Sequence, residues 1–201
     1  VRDHALHVMS YSLPINSIVD KEELLKHLHT RPDRPNAIPY EFKFYNRDWG
    51  FCIEHNKLPL FNQDKYRVVI NSSFEKGTLK VGDCTIQGES SKTVVLVAHL
   101  DHPWMVNDDL AGVAVLVDMA KRLLKQKNRY TYKLLIVPET IGSIAYLSQN
   151  EDLIHNFHCG IFLEMLGNDH SHSLQFSRQP NSRINKIAQY VMRQRLATFT
   201  Q

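Results

Sequence analysis

Three short apolar runs constrain this chain most: residues 93–98, 132–137 and 160–166. Each is rich in Val, Ile and Leu and too short for a buried helix, the pattern of a strand covered on both faces. Segments of helical spacing lie between and after them. From about Asp109 to Lys125, the apolar residues Leu110, Val113, Ala114, Val117, Ala120 and Leu124 recur at i, i+3, i+4 and i+7 intervals. A helix through 144–147 follows the second run, and Ile184, Ile187, Ala188, Val191, Met192 and Leu196 mark a last amphipathic helix. Strands alternating with helices predict an α/β fold, a mostly parallel sheet flanked by helices and joined by right-handed crossovers.

The first half has another texture. Ala5, Leu6, Val8 and Met9 read as a short strand leading into a loop. Asp20 stands before Lys21, Glu22 and Glu23, as an N-cap with acids in the first turn, and that helix ends before Thr30. Pro32, Pro35 and Pro39 make an extended connector. Tyr40, Phe42, Phe44, Tyr45, Trp49 and Phe51 then crowd together, a stripe expected in a core. Short strands at 66–70, 79–81 and 84–86, broken by turn residues, predict a small inserted β subdomain over 40–88. The main α/β domain is then 1–39 and 89–201.

Composition narrows the function classes. Of 201 residues 43% are hydrophobic and 22% charged, enough for a real core. The net charge of +3, from 24 basic and 21 acidic residues, demands no polyanion. Lys121, Arg122, Lys125, Lys127 and Arg129 read as the solvated end of one helix, so no nucleic-acid partner is expected. Even the longest apolar runs, such as 94–98, are too short to cross a bilayer, and no secretory leader is recognisable. Cys52, Cys84 and Cys159 are odd in number and widely spaced, which argues against a disulfide framework and fits buried free thiols in a reducing cytoplasm.

The chemistry sits where the apolar runs end. In a covered parallel sheet, ligands bind beyond the carboxyl ends of the strands. The first run leads into His99, Asp101 and His102, with Asn107, Asp108 and Asp109 ahead of the long helix. The second leads into Glu139, and the third contains Glu164 between Leu163 and Met165. Singly, each has an ordinary explanation: His99 as a satisfied strand-end histidine, Asp108 or Asp109 as a helix cap, Glu139 as an acid at a helix N-terminus. Glu164 is harder to explain so, because a lone acid deep in an apolar strand is costly unless paired or metal-bound. Carboxylates and imidazoles converging on one point need a cation, and zinc accepts this donor set while keeping a position open for water.

At these residues the sequence resembles the co-catalytic zinc aminopeptidases. Ala98-His99-Leu100-Asp101 and Asn107-Asp108-Asp109-Leu110-Ala111-Gly112 resemble their His-x-Asp and Asn-Asp-Asp-x-x-Gly motifs. Glu139-Thr140-Ile141-Gly142 and Leu163-Glu164-Met165-Leu166-Gly167 resemble their Glu-Glu-x-Gly and Leu-Asp-Met-x-Gly segments. Closer still is an aminopeptidase-like bacterial family with a small inserted β domain, found among surface-polysaccharide genes, similar at Tyr11-Ser12, Ala37-Ile38-Pro39-Tyr40, Trp49-Gly50-Phe51-Cys52, His102-Pro103 and Thr140-Ile141-Gly142-Ser143.

The resemblance implies a zinc aminopeptidase-like fold and one or two Zn2+ ions. It makes His99 a ligand oriented by Asp101, Asp108 a bridging ligand with a cis peptide to Asp109, Glu164 a ligand and Glu139 the general base. It also implies a metal-dependent hydrolase acting on a small-molecule or peptide substrate. Two departures follow. Thr140 replaces the acid that holds the second metal, so that Glu139 has two readings, base or ligand. The family's last metal-binding His falls beyond residue 201, with His102 a spare ligand and His170 and His172 poorer ones. The alternative is a non-peptidase role in surface-glycan assembly, such as binding or de-N-acylating an amino-sugar derivative.

Overall fold

The computed structural model describes residues 7–102, 105–196 and 199. Ala5 and Leu6 of the expected first strand, and Pro103 of one resemblance motif, lie outside them. The chain divides into two compact units, Val1–Gly77 and Thr78–Gln201.

In the first unit, β1 (Ile15–Asp20) runs into α1 (Lys21–Lys26). Asp20 stands at the N-cap as expected, with Glu22 and Glu23 in the first turn, although its side chain makes no capping bond. β2 (Leu28–His29) pairs in parallel with β3 (Phe51–Cys52), a 3-10 turn covers His55–Leu60, and β4 (Lys65–Ile70) pairs antiparallel with β1. Met9, Leu24, Cys52, Ile53, Val68 and Ile70 form the buried apolar set. The aromatic stripe is not core: Tyr40, Phe42, Phe44 and Tyr45 are exposed, their rings packed on one another and on Tyr11.

The second unit holds a four-stranded sheet of order β5-β7-β6-β8, from β5 (Gly82–Ile86), β6 (Ser90–His99), β7 (Tyr130–Val137) and β8 (Phe157–Phe162). β6 runs parallel to both β7 and β8, while β5 adds an antiparallel edge. Its helices are α2 (Ala111–Leu123), α3 (Ile141–Gln149), α4 (Glu151–Ile154) and α5 (Arg183–Arg195). The division at Gly77 does not coincide with boundaries at 39 and 88. β3 and β4 pair with strands that precede residue 40, and β5 joins the main sheet through β7.

Strand alternation gives this sheet two apolar faces. Leu96, Ala98, Leu134 and Ile86 pack with Val113, Leu116 and Leu123 of α2. Val95, Leu135 and Val137 face Tyr146 of α3. The buried stripe of α2 therefore runs through Leu116 and Leu123, not through Val117 and Leu124, which are exposed. β8 departs further from expectation. It ends at Phe162, has a neighbour on one side only among the described residues, and leaves Ile161 and Phe162 exposed, because an edge strand is not enclosed as the central β6 is.

Among the described residues no helix is long and apolar enough to cross a membrane. The three cysteines are free, but only Cys52 is buried; Cys84 is exposed and Cys159 half-buried.

Candidate functional site

The site grows from the end of β6. Strand register sets Val97 opposite Phe162 and His99 opposite Val137, and the β8 side continues with Leu163 N donating to Val97 O at 2.8 Å. Two residues past Phe162, Glu164 comes abreast of His99. Two residues past Val137 stands Glu139. Each acid is followed by a residue with left-handed backbone, Thr140 at φ 58° and Met165 at φ 49°. For non-glycine residues, and for a β-branched Thr above all, such geometry is uncommon and concentrates at functional sites.

His99 is the centre, with 1% of its surface exposed. Its Nδ1 lies 2.8 Å from Asp101 Oδ1, a carboxylate oxygen that accepts a hydrogen bond from Nδ1–H and leaves Nε2 pointing onward. Nε2 then faces two carboxylate oxygens, Asp108 Oδ1 at 3.0 Å and Glu164 Oε1 at 3.3 Å. A lone pair cannot face two carboxylates unless a proton or a cation lies between. With a proton there, burial opposes the imidazolium, but the hydrogen bonds and charges of Asp101 and Glu164 outweigh it and raise the His99 pKa above its ordinary value. Burial raises the Glu164 pKa too; His99 opposes this, and the charges of Asp109 and Asp108 add to it.

Asp109 plays a different part from Asp108. Their peptide bond is cis. Asp109 is 2% exposed, and its carboxylate accepts three backbone N–H groups: His99 at 3.3 Å, Gly112 at 3.0 Å and Met165 at 3.1 Å. It thereby ties the end of β6, the start of α2 and the turn after Glu164 to one point. Asn107 adds a tie, accepting from Gly167 N at 2.7 Å. Gly112 is required by this closeness, since a Cβ there would lie 2.3 Å from Asp109 Oδ2.

Of the residues singled out in the sequence, Asp101, Asp108 and Glu164 all meet His99. Glu139 does not; it is reached through His102, whose Nε2 lies 3.2 Å from Glu139 Oε2 and 3.6 Å from Asp108 Oδ1. Glu164 is not deep in a strand, its side chain being 43% exposed beyond the end of β8. His170 and His172 are exposed and join no potential ligand group among the described residues. Asp109, weighed in the sequence only as a cap, is the residue that reading missed. The spacing of Asp109 and Gly112 was its one signal.

Donor chemistry and spacing fit a divalent ion. Ligand atoms of His99, Asp109 and Glu164 all lie within 4.8 Å of one another, as do those of His99, Asp101 and His102. Asp109 is already engaged by three amides, which leaves Asp108 the better carboxylate donor beside Glu164. A tetrahedral ion with bonds near 2.0–2.1 Å has ligand-to-ligand edges of about 3.3–3.4 Å; the 3.0 and 3.3 Å spacings from Nε2 to Asp108 and Glu164 are near this length, while Asp108 joins neither three-residue group. Among the described residues, the ion pairs of Asp101, Asp108, Glu139 and Glu164 run only to histidines, so the cluster lacks a permanent positive charge.

Comparison with known proteins agrees with this architecture. A Clostridium acetobutylicum protein described as "Putative polysaccharide biosynthesis protein with aminopeptidase-like domain" is 39% identical over 191 residues, covering 95% of this chain and 44% of that protein. The crystal structure of a "putative peptidase" from the same organism matches with a TM-score of 0.93 and 38% identity, over 97% of this chain and 46% of that one. The chain thus spans less than half the length of these relatives. Matched by its family model over residues 6–201, the chain belongs to the family described as "Domain of unknown function (DUF4910)".

Proposed function

We propose that this chain carries the catalytic centre of a zinc-dependent, aminopeptidase-type hydrolase that cleaves an amide or peptide bond. The observation that carries the proposal is the single His99 nitrogen facing the carboxylates of Asp108 and Glu164. The names of the relatives point to the same reaction class.

His99, Asp108 and Glu164 would hold the ion. When bound, it supplies a Lewis acid that polarises a carbonyl and makes a water acidic near neutral pH. The chain's own residues do the rest. Asp101 fixes the His99 tautomer, and Asp109 holds the backbone beneath the ligands. Glu139 is the general base: its side chain is 53% exposed, so its carboxylate can reach solvent and substrate, take a proton and return it to the leaving amine. His102 steers that carboxylate from one side. The three free thiols support a reducing, cytoplasmic setting.

The test is the substitution Glu139→Gln, assayed on a panel of aminoacyl-anilides together with zinc content. Turnover is expected to vanish while zinc stays bound at the His99 site. Undiminished hydrolysis would remove Glu139 from the mechanism, and protein that binds no zinc would remove the mechanism itself. A second reading has specific support in one relative's polysaccharide-biosynthesis description and in Thr140, which stands where an acid would complete a peptidase's second metal site. There the substrate is an amino-sugar derivative that is bound or de-N-acylated, and N-acetyl sugars in the same panel distinguish the two.

A further inference from the structure

We infer that a cleft beside β4 in the first unit is a docking site for an extended peptide, which adds as a strand to the free edge of β4 and lays alternate apolar side chains into the cleft. This concerns the first unit alone and stands apart from the reading of the His99 site. The cleft has a volume of about 560 Å3, within the range of about 300–1,000 Å3 usual for ligand sites. One wall is formed by four consecutive residues of β4, 66–69. Successive side chains of a strand point to opposite faces, so a cleft that touches all four runs along the backbone. No β1 residue lines it, which sets it on the side of β4 away from its partner strand. There every second residue of β4 turns its N–H and C=O away from β1. Among the described residues these groups make no backbone hydrogen bond beyond the β1 ladder. An unpaired edge of this kind is a template for another strand.

The rest of the cleft dictates what that strand carries. Leu24, Ile53 and Val68 make a buried floor, with Phe51 and Phe61 half-buried at its sides. The Tyr66 ring is fixed there: its hydroxyl accepts from Gln63 N at 2.7 Å, and its centroid lies 5.6 Å from that of Phe61. Apolar side chains are therefore favoured on the Val68 side of an added strand. By strand alternation Arg67 belongs to the opposite side. It is exposed, and among the described residues its guanidinium bonds to a neutral group, Asn16 Oδ1 at 3.3 Å. An acid at the intervening positions of the added strand complements it. A second copy of β4 would instead bring Lys65 and Arg67 of two chains together, and like charges facing each other across a ladder are destabilising. The occupant is thus an extended peptide that alternates apolar and acidic residues.

The probe is the peptide Val-Glu-Phe-Glu-Val, amidated at one end and fluorescein-labelled at its amine, which leaves no free N-terminus to hydrolyse. It is titrated with the whole chain and followed by anisotropy. Saturable binding is expected, and Val-Lys-Phe-Lys-Val should bind at least about tenfold more weakly. Arg67→Glu, a substitution at an exposed position, should reverse that order. Two further probes carry N-methyl groups, either on the glutamates or on the Phe and the second Val. Only alternate amides of an added strand face β4, so one pattern should abolish binding and the other should spare it. Alternate amides of β4 should also gain protection from hydrogen exchange, followed by NMR, when the peptide binds. No binding up to about 1 mM overturns the inference. So does binding that both N-methylated probes retain or both lose, since neither result fits a strand paired through one edge. Unchanged exchange along β4 overturns it as well, and so does protection in the free chain that fades on dilution, which would place a second copy on the edge.

Discussion

Gly112→Ala tests whether the Asp109 hub holds the site together, because two physical effects there have opposite signs. Gly112 is the second residue of α2. Helix propensity alone predicts that alanine stabilises by up to about 1 kcal/mol. The structure predicts the reverse. The new Cβ would lie 2.3 and 2.4 Å from the two Asp109 oxygens and 2.6 Å from Cγ, inside any tolerable contact. Asp109 is 2% exposed and short, so its carboxylate cannot swing aside without leaving its three amide donors. Hydrogen bonds to a charged group contribute about 1.5–3 kcal/mol each. Losing two of the three costs roughly 3–6 kcal/mol, and the propensity gain reduces this to about 2–5 kcal/mol. For a chain of this size that lowers the midpoint of thermal unfolding by roughly 4–20 °C. The assay is urea and thermal unfolding followed by circular dichroism, with zinc affinity measured in parallel. A Gly112→Ala protein as stable as wild type would refute the hub.

Other perturbations probe the remaining links. Asp101→Asn removes the charge that orients His99, and zinc affinity should fall about 10–100-fold with little change in fold, as read by calorimetry. Zinc at a hundredfold excess over its dissociation constant should stabilise the chain by about 2.7 kcal/mol, and a chelator should reverse the gain in a melting experiment. Asp83→Asn breaks a cluster in which Asp83 meets Lys133 Nζ at 3.0 Å and accepts from Tyr146 OH at 2.8 Å. Lys133 is largely buried but Asp83 is partly exposed, so a discounted loss of roughly 1–3 kcal/mol is expected in urea unfolding. Burial lowers the Lys133 pKa, but the Asp83 and Tyr146 interactions outweigh it and raise it; burial and Asp83 raise that of Tyr146. A raised folded-state pKa gives stability that is present below the unfolded value and lost as pH rises through the folded one. Wild type should therefore lose stability on the alkaline side more steeply than Asp83→Asn, which a pH series of unfolding curves would show.

What the sequence disclosed depends on how local each signal is. β6 and β7 were legible because a strand covered on both faces writes a continuous apolar run, and no surrounding choice alters that. β8 was only half legible. The run 160–166 is apolar enough for a central strand, but the strand occupies Phe157–Phe162 at the sheet edge, and edge position is decided by neighbours far away in the chain. β5 was misplaced for the same reason: Cys84–Thr85–Ile86 looks like any short strand, and its pairing with β7 is a tertiary fact. His99 and Asp101 lie at the end of one apolar run and Glu164 within another, where ligands bind in parallel sheets, while Asp108 was added to them by the resemblance of its motif. His102 entered only as a spare ligand and Asp109 only as a helix cap. One acts through a loop conformation and the other through backbone amides, which carry no residue-type signature.

The dependence of the site on register is the deeper point. His99 meets Glu164 only because Val97 lies opposite Phe162, which brings the residues two further along abreast on the same face. Side chains alternate with a period of two, so a slip of one residue between β6 and β8 would carry the Glu164 carboxylate to the opposite face of the sheet. The ladder of an exposed edge strand is a weak guard against such a slip. Asp109 supplies the stronger one. Its carboxylate holds His99 N, on β6, and Met165 N, just past β8, at the same time. A slipped register would pull one amide away and leave a buried charge short of a donor. Asp109 thus fixes which side chains meet at His99, and the cost of leaving its buried charge short of donors ties His99 and Glu164 to one register.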